Sequence, residues 1–394
     1  MTLSDRSQDT IIVGAGVAGV ACARRLEEGH HPFLVIAEDV GGRICRSADG
    51  SMNLGAYYVR ADYHHINELV TRGRRINAHA TTRHDRFGSY TLWSQRLLLH
   101  LPQALRFLRH LSRFRRHYDA FKANSVAMSQ AQAIRSDPHL WHLYQQPASE
   151  FINEHQFDVI ARDYIAPGLH GTTFQPLSGL TAFVLLLGAL PVVIPTFEYE
   201  LRPGVLDGDW SRNLLADTVT EIAADGYSYR VNTKQSGVFV ARHVVVATPP
   251  EVAQRLLGIP ELKSPVEIHT FHMTGTLRKP WRSAEINLFA EDDPMCAIAR
   301  QANGSVLVCS HDETPVFARY FSDWEVTEHK WWNPAFNIVG DTLLECEQAP
   351  NLFLIGDHNI CGLEDAYITG LHAANRITRT SPVWSGSERL LRAG

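Results

Sequence analysis

The start of the chain shows the apolar pattern of a strand, a helix and a second strand in succession. Thr10–Val13 is a short β-branched run of the kind that forms buried parallel strands. The stretch VACARRLEE then has helical character, and a second apolar run covers Phe33–Ala37. The pattern therefore predicts a strand–helix–strand unit at the start of the chain.

Residues 71–200 are predicted to be mainly helical, because apolar residues recur at three- and four-residue steps between Arg96 and Lys122. These positions are Leu97, Leu101, Leu108, Leu111, Phe114, Tyr118 and Phe121. The stretch Leu177–Phe197 carries no charge, but Pro191 and Pro195 leave only about 14 helical residues, too few to span a bilayer at ~1.5 Å each. We interpret it as a buried helix that walls a substrate pocket, with membrane contact as the alternative. A histidine shortly before it, His170, either faces the same pocket or is structural.

Three later runs predict strands. Val244–Ala247 and Leu352–Ile355 are short apolar runs of the buried parallel type, each followed by turn residues. PVEIHTFHMTGTL, residues 265–277, alternates between two faces, with His269 on one and His272 on the other. Residues 256–345 are therefore expected to supply a mixed sheet.

Bulk composition narrows the class of protein. At 394 residues the chain exceeds one ordinary core, so two domains are expected. Its net charge of −5 gives no general attraction for nucleic acid, and we expect no such partner. The N-terminal stretch lacks the basic and apolar regions of a signal peptide. None of the six cysteines forms a CxxC pair and no histidine spacing suits zinc, so we predict reduced thiols, a cytoplasmic location and no metal site.

Glycines follow the first predicted strand in the spacing GxGxxG, formed by Gly14, Gly16 and Gly19. Gly14 permits the turn, Gly16 lets backbone approach a pyrophosphate, and Gly19 lets the helix pack on the strand. The free N–H groups and the dipole of the helix N-terminus favour a diphosphate there. Glu38 follows the second strand about where a ribose-binding carboxylate belongs. The spacing predicts a dinucleotide site, and a glycine-rich turn that binds nothing is the alternative.

A Gly-Gly-Arg sequence comes directly after this acid, although a plain NAD-binding unit does not need one. IIVGAGVAGVACARRL and EDVGGRI together resemble the FAD-dependent amine oxidases, protoporphyrinogen oxidases and phytoene desaturases. The resemblance implies that Gly41, Gly42 and Arg43 fold over the FAD diphosphate, with the arginine as a fork of donors. Family members have more residues between the acid and the glycine pair, so either Glu38 or Asp39 would bind the ribose.

Two further segments extend the resemblance to the middle of the chain. DGSMNLGAYYV resembles the segment that passes the flavin, which implies that Gly55 and Ala56 pack against the isoalloxazine ring. A β-hairpin with no special role is the alternative. In the segment DTVTEI, the resemblance implies that Val219 lies near the adenine.

The strongest distal resemblance is NLFLIGDHNICGLEDAYITGLHAANRI. It implies that Gly356 and Asp357 end a strand and that the acid binds the ribityl chain of FAD. A helix that begins near Asp365 and Ala366 would then face the pyrimidine edge of the flavin, where its dipole favours negative charge. The family often has Gly-Ala where this chain has Asp365–Ala366, so the contact would differ.

The resemblance implies an α/β fold, with a Rossmann-like FAD-binding domain of the glutathione-reductase type and an inserted α+β substrate domain that contains a mixed sheet. The FAD-binding domain would be discontinuous and comprise residues 1–70, 200–255 and 345–394. The substrate domain would comprise residues 71–199 and 256–344.

Candidate catalytic residues are fewer. Amine oxidases carry a lysine in the strand that corresponds to residues 265–277, and the central part of that strand has none here; His272 falls closest by spacing. EHKWWNPAF resembles the strand that brings aromatic residues to the flavin, so Trp331 or Trp332 would line an apolar, cation-attracting cage or pack in the core. Cys346 lies too near the closing Gly-Asp pair to match the flavin-linked cysteine of monoamine oxidases, and we expect non-covalent FAD.

These features predict an FAD-dependent oxidoreductase that moves a hydride from a small apolar or amine-bearing molecule to flavin N5. The alternatives are a dehydrogenase or desaturase of a lipophilic porphyrinogen or polyene, and a flavin-binding protein without turnover. Between Arg72 and Lys122, twelve Lys and Arg residues stand against two Asp. This excess indicates either a solvated helix face or a surface for an acidic partner or anionic lipid, that is, peripheral membrane contact.

Overall fold

The computed structural model describes residues 7–77, 80–259, 265–336 and 342–379. In chain order, its strands are β1 (Ser7–Gly16), β2 (Phe33–Gly41), β3 (Val59–Arg60), β4 (Val70–Ile76), β5 (Thr81–Asp85), β6 (Gly88–Thr91), β7 (Thr196–Leu201), β8 (Leu214–Ala216), β9 (Val219–Asp225), β10 (Ser228–Thr233), β11 (Val238–Val246), β12 (Val266–Leu277), β13 (Ile286–Phe289), β14 (Met295–Arg300), β15 (Val306–Ser310), β16 (Phe321–Phe336), β17 (Glu347–Ala349) and β18 (Leu352–Leu354).

The α-helices, again in chain order, are α1 (Val17–Glu28), α2 (Ile66–Leu69), α3 (Gln95–Leu99), α4 (Leu101–Asn124), α5 (Gln130–Ser136), α6 (Pro138–Gln145), α7 (Ala148–His155), α8 (Asp158–Ile160), α9 (Ala166–Thr173), α10 (Ala182–Ala189), α11 (Pro250–Leu257), α12 (Lys279–Arg282) and α13 (Leu363–Thr378). A π-helical turn, Ala161–Ile165, connects α8 to α9.

The first sheet joins strands from three distant parts of the chain. Over the described residues its main path runs β17-β18-β11-β1-β2-β8, with β10 and β9 added beside β11. The pairs β11–β18, β1–β11, β1–β2 and β2–β8 are parallel. Helices α1 and α13 pack on one face of this sheet around Ile12, and α11 with β9 and β10 covers the other face around Ile11, so both residues are fully buried. Burial on both faces explains why these strands are apolar runs without alternation.

A second sheet runs in the order β16-β12-β15-β14-β13-β5-β6 within the described residues. It is mixed, because β13 and β5 are parallel while its other pairs are antiparallel. Its inner face, which includes Ile268, Ala297 and Cys309, packs against Leu54. Its outer face packs a separate cluster around Phe271. A small third sheet, β3-β7-β4, joins the chain near residue 59 to the chain near residue 200.

Helix α4 follows the predicted periodicity closely. It buries Phe107, Leu111, Phe114, Tyr118 and Phe121, which recur at steps of three and four. The preceding helix α3 buries none of its residues. The predicted helix of residues 96–122 is therefore divided at its start, where the apolar residues face outward.

The uncharged segment Leu177–Phe197 forms a shorter helix than the sequence predicts. Only α10 is α-helical, flanked by 3-10 turns at Leu177–Gly179 and Leu190–Val192. The Thr181 side chain accepts a hydrogen bond from the Val184 N–H and so fixes the start of α10, while proline ends it. Within the described ranges, no helix is both long enough and apolar enough to cross a membrane.

Candidate cofactor site

The three glycines after β1 serve different physical needs. Gly14 has a φ of +101°, and a Cβ there would lie 2.8 Å from the Ala247 carbonyl oxygen. A Cβ at Gly19 would lie 2.1 Å from the Gly14 carbonyl oxygen. A Cβ at Gly16 would meet no atom within 4 Å, and its backbone angles suit any residue. Protein packing thus requires glycine at two positions, while Gly16 borders open space where a ligand can approach the backbone.

The glycine pair that follows β2 lies directly on this turn. β2 continues past Glu38 and pairs Gly41 with Gly16. The chain then turns at Gly41 and Gly42, whose φ angles are +101° and +56°, and the Ile44 N–H donates to the Gly41 carbonyl oxygen at 2.9 Å. Few residues separate Glu38 from the glycine pair because β2 simply continues through them. The glycine pair and the turn after β1 therefore form one surface.

Arg43 and Asp357 form a bidentate ion pair with both N···O distances at 2.5 Å. Arg43 Nη1 also donates a hydrogen bond to the Ala335 carbonyl oxygen at 3.0 Å. Burial would raise the pKa of Asp357, but the charge and hydrogen bonds of Arg43 outweigh it and lower that pKa. The resemblance gives these residues separate roles on the phosphates and the ribityl chain; the structure brings them into direct contact.

The residues predicted for the adenosine end also lie near one another. The Thr218 hydroxyl donates to Glu38 Oε1 at 2.7 Å, and Val219 is the next residue along the chain. Glu38 is exposed, whereas Val219 is 3% exposed and packs among the apolar residues of the first sheet. Asp39 is exposed beside Glu38, so the choice between the two acids as ribose ligand stays a prediction.

The segment around Gly55 runs along the backbone of Arg43. The Ala56 N–H donates to the Arg43 carbonyl oxygen at 3.0 Å. A Cβ at Gly55 would lie 2.0 Å from that same oxygen and 3.3 Å from Trp332 Cζ2. This contact alone requires glycine at position 55, and the implied packing of Gly55 and Ala56 against a flavin ring stays a prediction.

Trp332 is the predicted catalytic residue that the structure brings to this region. Its indole N–H donates to Thr270 Oγ1 at 3.0 Å. Lys330, two residues earlier on the same face of β16, places its ammonium 4.6 Å from the Trp332 ring and 3.3 Å from Cys45 Sγ. Lys330 was not among the predicted site residues, because a lysine was expected only on the strand that became β12. The alternation Lys330–Trp332 within EHKWW was the available signal.

The other two predicted catalytic residues lie elsewhere. Trp331 is 54% exposed and stacks at 6.3 Å on His269, on the face of the sheet opposite Trp332. His272 is buried. Trp332 pairs in register with Ile268 on β12, and His272 lies four residues further along that strand, a distance of roughly 13 Å from Ile268. Adjacent strand residues point to opposite faces, so only one of the two tryptophans can reach Gly55.

Helix α13 begins at a buried carboxylate. Asp365 is 1% exposed and accepts the Tyr118 hydroxyl at 2.7 and 2.6 Å through its two oxygens, and its own carbonyl accepts from Gln130 Nε2 at 3.0 Å. Burial raises the pKa of Asp365 to about 6. The resemblance implies a flavin contact for Asp365 and for the neighbouring Ala366, which is also buried. In the structure the Asp365 side chain instead links α13 to α4.

Two buried polar atoms beside the glycine turns have no hydrogen-bond partner among the described residues: Thr248 Oγ1 and His358 Nε2. The Thr248 backbone N lies 3.5 Å from where a Cβ at Gly14 would be, and His358 Nε2 lies 3.4 Å from one at Gly356. Buried polar atoms without a partner are rare and call for a missing ligand or water. The unfilled hydrogen bonds and the open space at Gly16 therefore fit an extended polar ligand at this site.

Comparison with known proteins gives the fold. Neither a protein-family model nor a curated protein matches the chain in sequence. Among solved structures, putrescine oxidase bound to putrescine is 14% identical, with a TM-score of 0.68 over 95% of this chain and 99% of the other. Cyclohexylamine oxidase from Brevibacterium oxydans IH-35A is 15% identical, with a TM-score of 0.64 over 94% of this chain and 98% of the other.

A third similar structure comes from Exiguobacterium sp. 255-15 and is assigned as a protoporphyrinogen oxidase. It is 14% identical to this chain, with a TM-score of 0.64 over 94% of this chain and 99% of its own. All three matches extend over nearly the whole of both chains, including the mixed second sheet. The chain thus has the α/β fold of these three structures, which is the fold that the resemblance in its sequence predicts.

Proposed function

We propose that this chain is an FAD-dependent oxidoreductase that removes a hydride from a small organic substrate. The observation that carries the proposal is the convergence of Gly16, Arg43 and Asp357 on one site. These residues come from distant parts of the chain. Gly16 borders open space and pairs with Gly41, and Arg43, two residues further on, binds Asp357, in a fold like that of solved oxidases. Bound FAD would supply the electron acceptor, since its ring takes up a hydride at N5.

The protein would hold FAD through groups already positioned without it. The backbone at Gly16 and the Gly41–Gly42 turn offer N–H groups and close approach for phosphate. The guanidinium of Arg43, paired with Asp357 in the structure, would turn part of its fork of donors to the phosphates when FAD binds. Asp357 and Glu38 offer carboxylates for hydroxyl groups. In the described residues none of the cysteines is disulfide-bonded, and Cys346 is buried with a pKa raised to about 12 by burial, which disfavours the thiolate needed for a covalent link.

The substrate side of the site would be apolar with a single cationic group. Trp332 packs with Leu54, Phe174 and the inner face of the second sheet, which would exclude water from the reacting centre. Lys330 stands above the Trp332 ring and would orient a polar group of the substrate or hold a proton there. Putrescine oxidase binds putrescine, and a small amine or an apolar molecule is the class we propose here.

Purified protein reconstituted with FAD is expected to be yellow and to bleach when a substrate is added without oxygen. A panel of primary and secondary amines, a porphyrinogen and a polyene would separate amine oxidation from dehydrogenation of a lipophilic compound. A protein that binds FAD but is bleached by none of them, while dithionite bleaches it fully, would contradict turnover and favour a flavin-binding protein. Failure to bind FAD at all would contradict the proposal itself.

A second proposal concerns the surface of α3 and the start of α4, which we propose contacts anionic membranes. Exposed large apolar side chains recur there and in the β5–β6 turn and the loop before α3, and we call them the apolar patch: Phe87, Trp93, Leu98, Leu99, Leu101 and Leu105. The two most exposed, Leu99 and Phe87, are 79% and 78% accessible. Exposed patches of this kind mark contact surfaces.

Charge complementarity favours a lipid surface as the occupant of the apolar patch. The outer side of α4 continues from the patch into Arg109, Arg113 and Arg116, all exposed and without an ion pair among the described residues. A helix with exposed leucines at one end and arginines beyond them suits insertion below anionic headgroups.

Replacing Leu98 and Leu99 together with serine is expected to weaken binding to phosphatidylserine vesicles by about 100-fold or more, because each buried leucine contributes ~1.5–3 kcal/mol and ~1.4 kcal/mol is a factor of ten. Co-sedimentation at low and high salt measures this, and high salt should weaken the wild type as well. Tyr227→Ser is the control, since Tyr227 is 99% exposed but lies far along the chain on the β9–β10 turn. Equal binding by the double variant and wild type would remove the proposal.

A further inference from the structure

A cluster of nitrogen and sulfur ligands lies at one end of the second sheet, away from the glycine turns. His170 comes from α9, Cys296 from β14, and His311 from the residue that follows β15. One ligand atom from each of the three side chains lies within 4.8 Å of the other two. His170 and Cys296 are buried, and His311 is exposed, so the cluster opens to solvent on one side.

The hydrogen bonding of His170 prepares it as a ligand. Its Nε2 lies 3.0 Å from the Asp293 carbonyl oxygen, which can only accept, so Nε2 donates and this bond orients the ring beside Cys296 and His311. A metal-binding histidine usually donates its second nitrogen to a carbonyl in this way, because the bond fixes the ring and the tautomer.

Cys296 supplies the sulfur of the cluster from a strand of the second sheet. Its side chain is fully buried, and its S–H donates to the Pro294 carbonyl oxygen at 3.7 Å. A divalent cation at the cluster would displace this proton, since a coordinating thiol loses its proton outright.

We propose that His170, Cys296 and His311 bind one Zn²⁺ ion, with a fourth position left to solvent. Two imidazoles and one thiolate suit zinc, which prefers four ligands at ~2.0–2.1 Å from nitrogen and ~2.3 Å from sulfur. The side chains need to close by about 1 Å to reach these distances. On binding, the Cys296 S–H bond breaks, a Zn–S bond forms, and one proton is released to solvent.

The zinc site would fasten α9 to the second sheet. Gly171, next to His170, already packs closely on this sheet, since a Cβ there would lie 2.6 Å from Leu288 Cδ2 and 3.5 Å from Ala297 Cβ. Leu288, Ala297 and Cys296 belong to the apolar cluster that contains Leu54 and packs against Trp332. The metal would therefore stabilise a wall of the proposed substrate pocket without touching the residues proposed to hold FAD.

Full-length protein treated with a chelator and titrated with zinc is expected to bind one equivalent and release one proton. Cobalt in place of zinc should give a sulfur-to-metal charge-transfer band. Cys296→Ser and His311→Ala should each weaken zinc binding on the order of 100-fold, and Cys296→Ser should abolish the band. His311 is exposed, so its variant tests the site even if the buried substitution impairs folding.

Two variants serve as matched controls for the zinc titration. Cys309→Ser removes an equally buried thiol on the neighbouring strand, and His142→Ala removes an exposed imidazole on α6. Both should bind zinc within threefold of wild type. Zinc binding that is absent in the wild type, or unchanged in the Cys296 and His311 variants, would overturn the assignment.

Discussion

Replacing Gly16 with valine is expected to give a folded protein that no longer retains FAD. No protein atom lies within 4 Å of a Cβ at this position, and φ and ψ are −72° and −178°, which valine adopts freely. The side chain would instead occupy the space next to the N-terminus of α1, where the diphosphate is proposed to lie. We expect FAD affinity to fall on the order of 100-fold or more, measured by fluorescence titration, with little change in thermal unfolding of the apoprotein.

Gly19→Ala is the matched comparison, because its side chain would clash with the protein itself rather than with the proposed ligand. Its Cβ would lie 2.1 Å from the Gly14 carbonyl oxygen, so α1 would have to move away from β1. That variant should lose thermal stability in the absence of FAD, whereas the Gly16 variant should not. A Gly16→Val protein that binds FAD as tightly as wild type would show that the dinucleotide does not lie on this turn.

Asp365→Asn is expected to stabilise the protein at neutral pH but not at acidic pH. The folded protein holds the carboxyl at a pKa of about 6, above its ordinary value of 3.8, because burial disfavours the charge. As pH rises from about 4 to about 6, the unfolded chain releases this proton first, so the wild type loses stability over that interval. The shift corresponds to about 3 kcal/mol of unfolding free energy, which the asparagine variant should not lose.

Urea unfolding at pH 4.5 and pH 7.5, compared at equal FAD occupancy, measures this difference. The variant keeps one of the two oxygens that accept the Tyr118 hydroxyl, so the pH dependence of the stability difference, rather than its size at one pH, reports the ionisation. Glu150→Gln, at an exposed acid on α7, is the control and measures the effect of removing one negative charge from the surface. If the stability difference between the Asp365 variant and wild type is the same at both pH values, the fold does not raise the pKa of the Asp365 carboxyl.

Local signals allowed the first turn and several elements to be predicted, while the fold was predicted from the resemblance of separate segments to a known family. The glycine spacing after β1, the apolar run of β2 and the periodicity of α4 each depend on residues close in the chain. The structure reproduces them as Ser7–Gly16, Phe33–Gly41 and Leu101–Asn124. The predicted length of a helix is wrong where a cap and a proline set its ends. An example is α10, which is capped by Thr181 and stops before Pro191.

Contacts between distant residues could not be predicted in the same way. Lys330 faces Trp332 within one strand, but its approach to Cys45 depends on how a remote loop is placed. The three zinc ligands come from a helix and two strand ends, with none of the short spacings that reveal a metal site in a sequence. Tyr118 was assigned to the core by its periodicity, yet its hydroxyl meets a carboxylate from the last helix.

The order of strands in the first sheet has a consequence for protein synthesis. β1 obtains its neighbour β11 only after more than half of the chain has been made, and β11 obtains β18 almost at the end. Arg43 likewise leaves the ribosome 314 residues before Asp357. At ~5–20 residues per second, the N-terminal unit therefore waits many seconds with an incomplete sheet. Loss of the last few dozen residues would leave every glycine of the first turn in place but no finished surface for a dinucleotide to occupy.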